Sequence, residues 1–233
     1  GRPCGRHGVR WGRIVITLAI DAATYRGSVA VLDGARVLAA STVEMRGADE
    51  ERLMPAVADA MTAAGIEVPS LGRIVCGEGP GSFTSLRIAA SIAKGLSFGG
   101  GIPLYAVSSL ALLAVSTPET RREGRYVAAF DALRGEHYVA TCEIGATGQL
   151  AAMGAVERWP SGQLAERAAA IGKLVGRGLE LDAAPDAAAL IRLDPLLARA
   201  HPVDLAAWEP AYGRLAEAQV KWEAVHGRPL PAA

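Results

Sequence analysis

The 233 residues are 51% hydrophobic but only 5% aromatic, so alanine, valine, leucine and isoleucine must fill the core. That favours helices packed on a sheet over an aromatic β-sandwich. The 24 basic and 24 acidic residues cancel, but Arg2, Arg6, Arg10 and Arg13 stand in the first 13 residues without an acid, leaving 20 against 24 in the remainder, a net of −4. A body of that balance lacks the positive excess of an autonomous nucleic-acid binder.

No apolar run approaches the roughly 20 residues that a membrane-spanning helix needs. Cys4, Cys76 and Cys142 lie far apart, a pattern of reduced thiols that predicts a cytoplasmic protein. Residues 1–13 have no long apolar stretch and are read as a disordered or artefactual extension, not a secretory signal.

Residues 14–20 (IVITLAI) form an apolar, β-branched run ending at Asp21, the pattern of a buried strand. After the turn DAATYRG, residues 28–32 read as a second strand, Asp33-Gly34 as a hairpin turn, and 36–41 as the returning third strand of a β-meander. The period then changes. Over 49–64, Leu53, Met54, Val57, Ala60, Met61 and Ala64 recur at three-to-four spacing, an amphipathic helix stopped by Gly65. A strand over 73–78, the loop GPGSFTS, a helix over 85–98, a strand over 104–107 and a helix over 110–115 behind Ser108-Ser109 follow.

The polar segment 116–125 (STPETRREGR) is expected to be a linker. Beyond it the theme restarts, with strand 126–130 ending in Asp131 as the first ended in Asp21. Strands over 137–144, 149–153 and 173–176, a helix over 161–170 and an alanine-leucine stretch over 185–200 complete it. The echo predicts two related α/β halves with mixed sheets, 14–115 and a degenerate 126–208, followed by a C-terminal segment 209–233.

Two turns carry candidate anion ligands. Asp21 and Thr24 could position a metal- or phosphate-bound ligand, or simply bond nearby backbone amides as an Asx-type turn. Gly79, Gly81, Ser82 and Thr84 lie between a strand and a helix, where N-terminal amides can hold phosphate. The loop lacks the Lys-Ser/Thr of GxxxxGK[ST], and GEGPGS puts Ser82 where GxGxxG needs glycine. Its glycines could equally serve backbone angles alone, and Ser82 and Thr84 helix capping.

The helix behind the loop carries Ala89, Ala90, Ser91, Ala93 and Gly95, which allow another helix to approach closely. Met54 and Met61 suit an adaptable contact on the preceding helix. Core packing is the plain alternative for each. His7, His137, His201 and His226 form no HxxxH or HExxH pair, and no GxSxG elbow occurs, so neither a catalytic nor a metal set is assembled. His137 reads as a strand residue with a satisfied ring.

Taken together, IVITLAIDAAT, GEGPGSFTSLRIAASIAKGLSFGGGIPLYAVSSLALLA and AAFDALRGEHYVA closely resemble the TsaB (YeaZ) family, in order and spacing across residues 14–142. EPAYGRLAEAQVKW at 209–222 resembles that family's C-terminal Pro-x-Tyr-x-Arg segment. The resemblance implies an ASKHA (actin/hexokinase-like) α/β fold of two subdomains. It implies a non-catalytic partner of the paralogue TsaD, which with the ATPase TsaE serves threonylcarbamoyladenosine formation on tRNA. No cofactor of the chain's own follows, ATP or ADP belonging to the complex, and tRNA is reached through the complex.

Pairing in the family uses the first two helices, which maps a partner interface here onto Leu53, Val57, Met61, Leu86, Ala89, Ala90, Ala93 and Lys94. The chain departs from the family's usual pattern at Arg46-Gly47-Ala48-Asp49-Glu50 and at Ser85. The rival expectations are an ASKHA phosphotransferase or peptidase-like enzyme, and a stand-alone homodimeric binding module.

Overall fold

The computed structural model describes residues 15–45, 51–213 and 226. Residues 1–13, the start of the first predicted helix and most of 209–233 lie outside them.

The first sheet has the order β3-β2-β1-β4-β5. β1 (Ile16–Asp21) runs antiparallel to β2 (Arg26–Asp33), which pairs with β3 (Arg36–Glu44) in the same sense. On its other side β1 is parallel to β4 (Arg73–Gly77), and β4 to β5 (Leu104–Val107). Central β1 and β4 are buried on both faces and therefore read as continuous apolar runs, whereas edge strand β3 alternates.

One face is covered by α1 (Leu53–Ala64) and α2 (Phe83–Gly100), whose Leu53, Val57, Ala89 and Ala93 meet Leu18, Ile20, Ile74 and Cys76. α1 stops where Gly65 turns left-handed at φ 66° and its N–H reaches the Met61 and Thr62 carbonyls. The other face meets α3 (Ser109–Ala114) and the second sheet, joining Ala19, Val75 and Tyr105 to Leu110, Leu113, Tyr126 and Ala140.

The second sheet has the order β10-β6-β7-β8, with β9 also paired to β7. Its strands are β6 (Gly124–Asp131), β7 (Glu136–Ile144), β8 (Leu150–Met153), β9 (Glu157–Pro160) and β10 (Lys173–Val175). As in the first sheet, an antiparallel hairpin flanks one side of the central strand and a parallel strand the other, without a counterpart of β5 among the described residues. α4 (Leu164–Ala169) covers its outer side over Val127, Val139 and Trp159.

Several local expectations shift. β9 falls where no strand was expected. The stretch over 185–200 is a 3-10 turn, Ala187–Leu193, capped by Asp186 on the Ala188 N–H, followed by the single turn α5 (Asp194–Leu197). The polar segment 116–125 is pinned in place: it contains the 3-10 turn Pro118–Arg121, and Thr117 and Thr120 are buried.

Candidate functional site

The two candidate turns meet at the C-terminal ends of β1 and β4. Asp21 is fully buried; its Oδ1 accepts the Ala23 N–H at 3.0 Å and its Oδ2 the Ser109 hydroxyl at 2.5 Å. Burial raises its pKa, against the opposing pull of the Ser109 hydroxyl and the Ala23 amide. Ser109 Oγ in turn accepts the Gly79 N–H at 3.1 Å. Gly77 is required beside this relay, because a Cβ there would stand 1.8 Å from Asp21 Oδ2.

The glycine loop is equally committed to internal contacts. The Ser82 N–H donates to the Ala23 carbonyl at 2.7 Å, and a Cβ on Gly81 would meet that carbonyl oxygen at 2.0 Å. From the far end of the chain, the Ala211 N–H donates to the Glu78 carbonyl at 2.7 Å. Ser82 is the residue before α2, but its hydroxyl faces Ser85 Oγ at 3.0 Å and caps no helical amide. Thr24 Oγ1 is occupied by the backbone of Arg26.

Between the two sheets lies a cleft of about 1620 Å³. Thr24, Gly81, Ser82 and Thr84 line it, while Asp21 and Gly79 do not. Asp21 is sealed beneath the Ala22–Ala23 turn and Gly79 is buried, so the six predicted ligands do not converge on one ligand. The facing wall comes from the β6–β7 hairpin and the loop after β10, with Asp131, Arg134, His137, Arg177 and Asp182. Sequence reasoning missed this wall. Its signal is the hairpin tip Leu133-Arg134, two consecutive non-glycine residues at φ 61° and 55°.

A strap closes one end. The Val203 N–H pairs with the Leu104 carbonyl beside β5, and Trp208 lies under Lys94, 5.6 Å from Nζ to the ring centre. Tyr212 then packs against Phe83 at 4.5 Å, and Tyr138 OH donates to its carbonyl at 3.4 Å.

The residues expected at the partner interface face inward within the chain itself. Leu53, Val57, Met61, Leu86, Ala89, Ala90 and Ala93 are all buried, and Lys94 is half-buried over Trp208. On α2 the small residues bring the helix close to its own sheet and to α1: Ala89 and Ala93 share a core with Cys76, Leu53 and Val57. The outward side carries Ile88, Ser91, Ile92, Gly95 and Phe98, with Met54 exposed on α1; Phe98 is 84% exposed. A groove beside it is lined by Glu51, Phe83, Arg87, Ile88 and Ile92.

His137 Nδ1 lies 3.0 Å from Ser161 Oγ. Among the described residues no group of three or more His, Cys, Asp or Glu could hold a metal, and no helix is long and apolar enough to cross a membrane.

A protein-family model described as "TsaD: tRNA N6-adenosine threonylcarbamoyltransferase" matches residues 46–169, just over half of the chain. The chain is 37% identical over 121 residues to the "tRNA threonylcarbamoyladenosine biosynthesis protein TsaB" of Escherichia coli (strain K12), covering 52% of each. Against the protein of that name from Bacillus subtilis (strain 168) the identity is 36% over 121 residues, again 52% of each. The chain thus spans about half the length of these curated relatives. The solved structure "YeaZ from Pseudomonas aeruginosa" superposes with a TM-score of 0.70 at 29% identity, covering 85% of this chain and 99% of that one.

Proposed function

The chain belongs to the TsaB (YeaZ) family, and from that premise we propose that it is a non-catalytic subunit that binds and activates a TsaD-type threonylcarbamoyltransferase. Its two sheets with flanking helices form an ASKHA fold. The observation that carries the proposal is the outward stripe of α2. The exposed Phe98 and the half-buried Ile88 and Ile92, which pack in part on the chain's own core, stand there beside Ser91 and Gly95, an apolar strip with small gaps between its large side chains. Such a strip fits a second helix pair laid across it.

A non-catalytic role is supported by how the loop residues are used. Asp21 is closed off under Ser109, and the amides of Gly79 and Ser82 serve Ser109 and Ala23. These groups bind the chain to itself. In this reading chemistry resides on the TsaD-type partner, the TsaE-type ATPase joins the assembly, and tRNA is met through it.

The test is sedimentation of the chain with the TsaD-type subunit of its own organism, together with a threonylcarbamoyladenosine assay on tRNA. A 1:1 or higher complex and faster modification are expected. Phe98→Asp, at a side chain 84% exposed, should weaken association about thirtyfold or more, as at an interface hot spot. Modification that proceeds unchanged without the chain overturns the proposal. Self-association through the same strip, with no binding to the partner, would favour the homodimeric module instead.

Substitutions at Ala90 or Ala93 cannot serve this purpose. Both side chains are buried, and a glutamate at Ala93 would enter the chain's own core and report on folding.

A further inference from the structure

The interlobe cleft holds basic groups that the proposed function does not use. Four arginines line it: Arg26, Arg134, Arg158 and Arg177. Arg26 donates to Thr42 Oγ1 and Arg158 pairs with Glu136 at 3.7 Å. Arg134 and Arg177 are exposed and make no hydrogen bond or ion pair among the described residues. Three acids share the lining, Glu44, Asp131 and Asp182, so the four arginines leave it one formal positive charge in excess; Asp131 Oδ1 accepts the Leu133 N–H at 2.7 Å, and Asp182 Oδ1 the Gly178 N–H at 2.7 Å.

The hairpin tip holds Arg134 at the cleft in a left-handed conformation that a non-glycine residue adopts only at a cost. Across from it, the opposite wall offers the Thr84 hydroxyl and the ring of Tyr25, while the Ser82 hydroxyl is shared with Ser85 and the Phe83 ring with Tyr212 and Arg87. Guanidinium groups facing hydroxyls and ring faces match a phosphate backbone carrying bases. At about 1620 Å³ the cleft exceeds the roughly 300–1,000 Å³ of small-molecule sites, which favours a strand over a single nucleotide.

We propose that this cleft contacts a single-stranded stretch of RNA, with Arg134 and Arg177 on its phosphates. The inference rests on the proposed tRNA-modification role and adds which part of the chain touches the nucleic acid. The net charge of −4 outside residues 1–13 supplies no long-range attraction. The cleft therefore holds a strand delivered within the assembly, and on its own the chain binds it weakly and only at low salt.

The experiment is fluorescence anisotropy of the full chain, at low ionic strength, with a labelled single-stranded RNA of about ten nucleotides. Arg134→Ala/Arg177→Ala should bind about tenfold more weakly. The slope of log K against log salt should fall by about 1.4, two single-strand phosphate contacts. Arg36→Ala, on the distant β2–β3 hairpin, should match wild type. No binding by wild type, or equal binding by the double variant, overturns the proposal. So does a labelled ATP that binds as tightly as the RNA, which marks a mononucleotide pocket. An acidic decapeptide that competes equally overturns it too, as a general anion trap. Neither arginine lies on the α2 stripe, so association with the TsaD-type subunit is scored separately and the two readings fail independently.

Discussion

The Ser109 hydroxyl donates to Oδ2 of Asp21 at 2.5 Å across 88 residues of sequence, and Ser109 Oγ itself accepts the Gly79 N–H. One side chain thus ties the first strand, the glycine loop and α3 together. Ser109→Ala would leave both a buried carboxyl oxygen and a buried amide without their partner, costing about 1–3 kcal/mol. Urea unfolding of the two proteins checks this; equal midpoints would show that the relay contributes nothing.

Asp21 also sets a pH dependence. Its folded pKa is raised by burial, so the folded state holds its proton more tightly than the unfolded chain does. The resulting stabilisation is fully present below the unfolded pKa and is lost as pH rises through the folded value. Asp21→Asn keeps an acceptor for the Ala23 N–H and presents an amide to Ser109, whose oxygen has a second lone pair to accept it. The variant should lose less stability than wild type as pH climbs from the carboxylate range to neutrality. Unfolding curves at a series of pH values decide it, and identical slopes would rule the assignment out.

The order of strands and helices from β1 to α3 was legible in the sequence because apolar periodicity is local, whereas the short edge strand β9 was not. β1 and β4 announce themselves as unbroken apolar runs, and α1 by its three-to-four spacing. The facing of α2 was not legible. Ala89 and Ala93 are small because the sheet lies beneath them, and a stripe of small residues reads the same whether the close neighbour is a sheet or another helix. Nor could sequence show that Asp21 is spent on Ser109, since that depends on a contact 88 residues away. The cleft wall bearing Arg134 and Arg177 arises only when two hairpin and loop ends converge.

Arg192 replaces what looked like a free linker with a fixed corner. Its Nε donates to the Gly148 carbonyl at 2.6 Å, Nη1 to the carbonyls of Val115 and Thr117 and to Thr120 Oγ1, and Nη2 to the Thr120 carbonyl. Burial lowers its pKa, and nearby Arg121 adds to that. Arg192→Met would strand these carbonyls and should destabilise the chain by about 3 kcal/mol. Arg192→Lys should recover little, because an ammonium cannot span the same planar fork of acceptors. A lysine variant as stable as wild type would refute the fork as the reason.

Cys76 and Cys142 are buried. Burial pushes the Cys142 thiol up to about 12, and burial followed by Asp21 and Glu78 raises that of Cys76. Thiolate is the reactive form, so neither should be alkylated at about pH 8 until the chain unfolds. Peptide mapping after iodoacetamide, with and without denaturant, reads this directly. Stoichiometric labelling of either within minutes in native buffer would contradict their placement.

Two glycines separate internal need from partner need. Gly81→Ala would drive a methyl to 2.0 Å from the Ala23 backbone oxygen, where no flexible side chain can yield, so the variant should be strongly destabilised. Gly95 lies in α2, exposed, with nothing within 4 Å of a built Cβ. Gly95→Ala should therefore stabilise the isolated chain by about 1 kcal/mol through helix propensity. If a partner helix lies against the stripe through that gap, the same methyl should weaken the complex while the chain itself becomes more stable. Thermal unfolding of the chain and titration against the TsaD-type subunit measure the two signs independently. A variant that gains stability and binds as well as wild type would place the partner's closest approach elsewhere than at Gly95.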